Sequence, residues 1–123
     1  MLAVALGDDG PEGQRARYRL AGETLAAPEL IDLEVVSVLR RQVAAHLMPA
    51  RRAAEAVSDL AEMALRRSPH RPLLDRIWQL RHAITPYDAA YVSLAEVLDA
   101  VLVTADRRLA RAAGVNCRLE VLD

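Results

Sequence analysis

The stretch TPYDAAYVSLAEVLDAVLVTAD, residues 85–106, contains the two elements that decide the fold. Thr85 and Pro86 are typical of a helix start, because threonine can cap a helix and proline suits the first helical position. The pattern therefore predicts a helix to about Leu98. The short, continuous apolar run 100–104 then predicts a strand that is buried on both faces. A helix that leads directly into such a strand indicates an α/β fold.

The rest of the chain alternates between helices and short strands, with helices dominant. Predicted helices cover about 11–21, 29–46, 49–67, 73–81 and 107–113, and predicted strands cover 24–27 and 117–121. The helix at 29–46 is apolar nearly all round, which favours a buried helix, and Trp78 is expected to anchor the core. Strand–helix–strand units imply right-handed crossovers and a parallel sheet. The length of 123 residues predicts a single domain over 1–123 with one core.

The composition excludes several classes of protein. Hydrophobic residues make up 53% of the chain, which is too many for a disordered protein, and no apolar run is long enough to span a membrane. The formal net charge is −1, so nucleic acid would have to be bound by local arginine clusters such as Arg107-Arg108. The single cysteine, Cys117, allows no internal disulfide, which fits a reducing cytosol. We therefore expect a cytoplasmic protein with no membrane contact.

Three acidic residues, Glu34, Asp88 and Asp106, lie among apolar neighbours in the sequence. A lone buried carboxylate is costly, so such groups are normally paired, neutralised or bound to metal. Asp106 directly follows the predicted strand, and sites in open α/β sheets form beyond the carboxyl ends of strands. Asp88 falls in the first turn of its helix, where the helix dipole stabilises an anion, so a structural role is equally open for the two aspartates. Together the three carboxylates suit Mg²⁺ or Mn²⁺, ions that can promote the attack of water on a phosphodiester.

Other kinds of site lack their motifs in this chain. His46, His70 and His82 lie far apart and have no zinc-binding spacing. The glycines form neither a phosphate-binding loop nor a dinucleotide-binding pattern, and no G-x-S-x-G nucleophile motif occurs.

Two blocks of sequence resemble a known family. PELIDLEVVSVLRR at 28–41 and TPYDAAYVSLAEVLDAVLVTADRRL at 85–109, followed by a short closing strand, resemble the PIN-domain ribonucleases. More narrowly, they are similar to the VapC toxins of bacterial toxin–antitoxin pairs. The resemblance implies a PIN-like three-layer α/β/α fold with a short parallel sheet. It also implies a Mg²⁺-dependent endoribonuclease toxin that cleaves RNA, is inhibited by a cognate VapB-like antitoxin and forms a homodimer.

The same resemblance assigns roles to individual residues. It implies that Glu34, Asp88 and Asp106 converge on Mg²⁺ or Mn²⁺ as metal ligands and catalytic residues. Thr104 matches a position where the family often has a small polar residue near the site. Thr104 and Arg107 are the predicted substrate-binding residues.

The start of the chain departs from the family pattern. Members of the family open with a strand and an Asp-x-Ser segment whose aspartate is a principal metal ligand. Here MLAVALGDDGPEG, residues 1–13, resembles the helix that follows that segment, so we expect the first strand and the first acid to be missing. This leaves open an active ribonuclease, or a catalytically impaired PIN remnant that acts as an antitoxin-binding or dimerisation module. A flavodoxin-like signalling domain is a third interpretation, but it would require a lysine after a late strand, and the chain has no lysine.

Overall fold

The structure of the protein is a computed structural model that describes residues 18–122. The predictions made for residues 1–17, including the missing strand and most of the helix at 11–21, lie outside the described residues. Residues 18–20 are helical, and the positive φ of Gly22, 75°, agrees with the predicted end of that helix at this glycine. The chain divides into two compact units. Among the described residues, unit 1 comprises 18–25 and Leu30–Arg66, and unit 2 comprises Ala26–Glu29 and 67–122.

Unit 1 contains a pair of packed helices, α1 at Ile31–Ala44 and α2 at Ala50–Glu62. Helix α1 buries Ile31, Val35 and Leu39, which lie four residues apart on one stripe. The predicted burial of α1 nearly all round is wrong, because burial follows this stripe and not the overall apolar content. Leu33, which lies off the stripe, is 74% exposed.

The end of α2 also differs from the prediction. The helix stops at Glu62, Met63 has extended backbone, and a strand that the sequence did not predict, β2 at Leu65–Ser68, follows. The expectation of a helix to residue 67 is wrong because Leu65 suits the apolar spacing of a helix and of a strand equally well. Strand β2 pairs with β1 at Leu25–Pro28, which confirms the strand predicted at 24–27.

Unit 2 is built on a parallel pair of strands and a buried helix. After a 3₁₀ turn at Arg71–Leu73, helix α3 covers Leu74–Gln79 and helix α4 covers Pro86–Leu98. Strand β3 at Leu102–Thr104 pairs in parallel with strand β4 at Leu119–Val121. These elements confirm the predicted helix to Leu98, the last two strands and the parallel sheet. Strand β3 is half-buried, so the expected burial on both of its faces is wrong. The helix expected at 107–113 is also wrong, because only a 3₁₀ turn at Leu109–Arg111 forms there.

The core of unit 2 is aliphatic. Its fully buried members are Leu80, Ala89, Val92 and Leu109, and the half-buried side chains packed on them are Ile77, Ile84, Leu102, Val115, Cys117 and Leu119. Burial is the main cause of the raised pKa of the Cys117 thiol, which suits a structural cysteine. None of the helices among residues 18–122 has the length and apolar character needed to cross a membrane.

Trp78 lies outside this core, which contradicts the sequence prediction. Its residue surface is 67% exposed, and the guanidinium carbon of Arg81 lies 4.5 Å from the centre of its ring. The apolar stripe of this region runs through Leu73, Ile77 and Leu80, and the neighbouring position 78 therefore points away from the core.

A half-buried ion pair connects three parts of unit 2. Nε and Nη2 of Arg76, on α3, donate hydrogen bonds of 2.7 and 3.0 Å to the two carboxylate oxygens of Glu96, on α4. Nη2 of Arg76 also donates to the carbonyl oxygen of Gly114 at 2.6 Å, and the backbone N–H of Asn116 donates to Glu96 at 2.9 Å. The pair therefore fixes the turn that leads into β4. The hydrogen bonds from Arg76 hold the pKa of Glu96 below its usual value.

Replacing Glu96 by glutamine should lower the free energy of unfolding by about 1–3 kcal/mol at pH 7, because it removes charge-assisted hydrogen bonds from a half-buried arginine. Since the folded pKa of Glu96 is lowered, its stabilisation is present above the unfolded pKa of about 4.3 and is lost as the pH falls through the folded pKa. Measured by urea unfolding, the free energy of unfolding should therefore fall less below about pH 4.3 in Glu96→Gln than in the wild type.

Glu23→Gln is the matched control, because it removes an exposed pair in which Nη1 of Arg19 lies 2.9 Å from the carboxylate. An exposed pair at i,i+4 spacing contributes about 0.5 kcal/mol or less. Equal destabilisation by the two substitutions would contradict the structural role of Glu96.

Candidate active site

Asp106 is positioned by the end of strand β3. The hydroxyl of Thr104, the last residue of the strand, accepts the backbone N–H of Asp106 at 3.1 Å. The carbonyl oxygen of Thr104 accepts the backbone N–H of Leu122 at 2.8 Å, and this bond holds the strand end against the segment after β4. The half-buried Asp106 therefore lies where the sequence predicted it, directly beyond a parallel strand.

Asp88 is positioned by the start of helix α4. The hydroxyl of Thr85 accepts the backbone N–H of Asp88 at 3.2 Å, which confirms the cap predicted from the sequence. Asp88 is half-buried in the first turn of the helix. Its carboxylate has no hydrogen-bond or salt-bridge partner among residues 18–122, so its oxygens are available to a cation.

Arg108 interacts with both aspartates, by direct contact with Asp106 and by charge with Asp88. Its Nε and Nη2 atoms donate to the two carboxylate oxygens of Asp106 at 3.3 and 3.4 Å, and its backbone N–H donates to the same carboxylate at 2.9 Å. The hydrogen bonds from Arg108 lower the pKa of Asp106. The pKa of Arg108 is raised first by its hydrogen bond to Asp106, and the charge of Asp88 raises it further. Both carboxylates therefore act on one cationic group within unit 2.

Glu34 lies in unit 1, in the first turn of helix α1, and is exposed. The premise that it is a buried carboxylate is therefore wrong, since the buried stripe of α1 passes through its neighbours Ile31 and Val35. Among residues 18–122, no group of three or more His, Cys, Asp or Glu side chains is arranged to hold a metal ion. The convergence of Glu34 with Asp88 and Asp106 stays a prediction.

The two predicted substrate-binding residues differ in their surroundings. The Thr104 hydroxyl accepts a backbone hydrogen bond, so the structure gives it a part in positioning Asp106. Arg107 is exposed. Their contact with substrate stays a prediction. Sequence reasoning missed the role of Arg108, although the arginine pair directly after Asp106 was a readable signal.

Comparison with known proteins identifies the relatives of this chain. The protein-family model described as the PIN domain matches residues 1–115. Ribonuclease VapC12 of Mycobacterium tuberculosis is 38% identical over 120 residues, which cover 98% of this chain and 93% of the relative. Ribonuclease VapC1 of the same species is 43% identical over 97 residues, which cover 78% of this chain and 73% of the relative. A VapC ribonuclease of Mycobacterium bovis is 38% identical over 119 residues, with coverage of 97% and 91%. The family match confirms the predicted PIN-like α/β fold class and overturns the flavodoxin-like interpretation.

Removing the helix cap should loosen the segment that carries Asp88. Thr85→Ala should lower the free energy of unfolding by about 0.5–2 kcal/mol, because the Asp88 N–H loses its acceptor. Amide hydrogen exchange at Asp88 should accelerate in the same variant. Thr85→Ser keeps the hydroxyl and should retain both properties; similar losses in the alanine and serine variants would refute the capping role.

Proposed function

The chain belongs to the PIN-domain family and, within it, to the VapC-type ribonuclease toxins, and from this premise we propose that it is a metal-dependent endoribonuclease inhibited by a cognate VapB-like antitoxin. One observation carries the proposal at the level of residues: Asp106 lies directly beyond the end of strand β3, where Thr104 holds its backbone and Arg108 contacts its carboxylate. The single cysteine supports the further proposal that the protein acts in the cytoplasm.

The donor set suits a hard divalent cation. Carboxylate oxygens are preferred ligands of Mg²⁺ and Mn²⁺, and the guanidinium of Arg108 already places positive charge against both carboxylate oxygens of Asp106. Asp88 and Asp106 would hold the ion together with Glu34, which we propose as the third ligand. Bound there, the ion would supply positive charge to the phosphodiester as negative charge develops on it.

The remaining residues of the site position these carboxylates. Thr85 fixes the backbone at Asp88, and Thr104 fixes it at Asp106. Arg108 must leave Asp106 before both carboxylate oxygens can bind a metal, since it contacts both of them. We propose that Arg107, exposed beside the site, binds a phosphate of the RNA.

The ion pair between Arg108 and Asp106 also favours a second candidate function. Because Arg108 contacts both carboxylate oxygens of Asp106, the chain also suits a catalytically impaired module that binds antitoxin or dimerises. A cleavage assay separates the two candidates.

Neutralising the proposed ligands should abolish cleavage of single-stranded RNA by the purified protein in Mn²⁺ or Mg²⁺. We expect Asp88→Asn, Asp106→Asn and Glu34→Gln each to reduce the rate by at least about 100-fold, because loss of one charged ligand weakens both the binding and the charge of the ion. Millimolar Mn²⁺ should raise the melting temperature of the wild type by mass action, and should raise it less in each variant.

Asp59→Asn is the control for this experiment. Asp59 is an exposed acid on α2, so its replacement should change neither the cleavage rate nor the metal-dependent melting shift. Wild-type protein that does not cleave RNA in either metal would favour the non-catalytic module. Full activity in Asp88→Asn would contradict the proposed ligand set.

We further propose that unit 1 provides the surface for association. An open apolar groove of about 440 Å³ lies between α1 and α2. Its lining includes Val36, Leu39, Val43, Ala53 and Val57. Apolar surface of this kind usually marks a partner site, and the partners implied by the family are an antitoxin segment and a second copy of the chain. An antitoxin arginine would inhibit the enzyme by taking the place that Arg108 occupies at Asp106.

A charge placed in this groove should prevent association without unfolding unit 1. Val57 is 40% exposed, so Val57→Glu introduces a carboxylate with access to water. We expect the wild type to be dimeric by light scattering at tens of micromolar and to co-purify with the product of the adjacent co-expressed reading frame. Val57→Glu should lose one or both partners, while Ser58→Glu on the exposed side should lose neither. Monomeric wild type that captures no neighbour would refute this use of the groove.

A further inference from the structure

We propose that Trp78, held by Arg81, is a stacking surface for a base of single-stranded RNA, on the helix that precedes α4 and its residue Asp88. This inference rests on the proposed ribonuclease function and adds to it a residue that selects how the RNA lies on the protein. Neither residue takes part in the carboxylate site or in the core of unit 2.

The first observation is that the indole is exposed and yet held in place. Trp78 is 67% exposed, so most of its surface remains accessible. The guanidinium carbon of Arg81 lies 4.5 Å from the ring centre, within the range of a cation–π contact. Nη1 of Arg81 also donates a hydrogen bond of 3.0 Å to the carbonyl oxygen of Trp78. The arginine therefore contacts both the ring and the backbone of the tryptophan.

The second observation is the short, folded connection from the ring to the site. Between Trp78 and Asp88 the chain forms a tight turn, in which the backbone N–H groups of Ala83 and Ile84 donate to the carbonyl oxygen of Leu80 at 3.0 and 3.1 Å. Helices α3 and α4, on either side of the turn, pack against each other. Tyr87, the neighbour of Asp88, is 64% exposed. Two exposed aromatic residues thus flank the turn that ends at a proposed metal ligand.

Charge and chemistry favour a nucleic-acid strand as the occupant. The net charge of −1 provides no broad attraction for RNA, so binding must depend on local cations, and Arg81 is such a cation placed directly on an aromatic ring. Single-stranded RNA is bound by stacking of bases on aromatic side chains and arginine planes, with further arginine contacts to phosphates. A protein partner is the competing occupant, because Leu74, one turn before Trp78, is 50% exposed and extends the apolar surface. The positive charge of Arg81 on the Trp78 ring favours RNA, a polyanion, over an aliphatic protein surface as the occupant.

The experiment uses the fact that Trp78 is the only tryptophan of the chain, so intrinsic emission reports on this ring alone. The ligand is a short single-stranded RNA with 2′-O-methyl riboses, which cannot be cleaved, added to the 123-residue chain in EDTA. Stacking should quench the emission of Trp78 in a saturable way. Affinity is measured in parallel by anisotropy of the labelled RNA.

The variants separate stacking from a merely structural role. Trp78→Ala should weaken RNA binding by about 5- to 100-fold, the range expected for the loss of one base–aromatic stack. Trp78→Phe should recover most of the affinity, because phenylalanine keeps a π-face. Arg81→Ala should weaken binding and also reduce its salt dependence, because a cation is lost. Tyr18→Ala, which removes an 86% exposed aromatic residue of unit 1, should bind as tightly as the wild type.

Each outcome supports or overturns the proposal. Wild type that binds and cleaves RNA, with Trp78→Ala equal to it in affinity, would overturn the stacking surface and leave the ribonuclease function intact. Wild type that neither binds nor cleaves RNA would overturn both. An emission shift that follows protein concentration in the absence of RNA would assign Trp78 to a contact between copies of the chain and would also overturn the proposal.

Discussion

The ion pair between Arg76 and Glu96 is the interaction on which unit 2 depends. It joins two helices, and its hydrogen bonds to Gly114 and Asn116 fix the turn before strand β4. Strand β4 pairs with β3, whose last residue, Thr104, holds Asp106. A series of contacts therefore connects the half-buried ion pair of Arg76 and Glu96 to Asp106, the proposed metal ligand. Because removal of one partner leaves the other charge poorly compensated, we expect this part of the fold to tolerate the loss of both charges better than the loss of one.

The acidic charge of the candidate site is only partly compensated within unit 2. Arg108 contacts the carboxylate of Asp106 and lowers its pKa, whereas the carboxylate of Asp88 has no hydrogen-bond partner among residues 18–122. The guanidinium is highly exposed, with 92% of its side-chain surface accessible, and an ion pair of this kind contributes little to stability. A divalent ion or an arginine from a partner would therefore displace it at little cost in stability. Under the proposed function, this exchange would let one acidic site take part in both metal binding and inhibition.

Sequence reasoning succeeded where local signals and burial agreed. Thr85 and Pro86 marked the start of α4 correctly, and the apolar run before Asp106 located β3, because caps and continuous apolar runs act over short distances. The resemblance of the two sequence blocks identified the family. Strand β2 was missed because its apolar spacing continued that of α2, and position 78 was assigned to the core because a tryptophan is usually buried.

Interactions between residues far apart in sequence could not be read in this way. Arg76 and Glu96 are twenty positions apart, and neither has a neighbour that marks the pair as special. The apolar content of α1 suggested burial on all sides, whereas only a stripe at four-residue spacing is buried. Which carboxylates meet in space depends on such tertiary contacts. Sequence pattern could nominate Glu34, Asp88 and Asp106, but it could not supply their geometry.

The central claim, that these three carboxylates hold one divalent ion, is tested most directly by anomalous diffraction from crystals soaked in Mn²⁺. We expect a single strong manganese peak about 2.1 Å from carboxylate oxygens of Asp88, Asp106 and Glu34, as is usual for hard-ion ligation. We also expect the side chain of Arg108 to have moved away from Asp106. A manganese peak at other residues, or none at saturating Mn²⁺ with Arg108 still on Asp106, would show that the three carboxylates do not form one metal site.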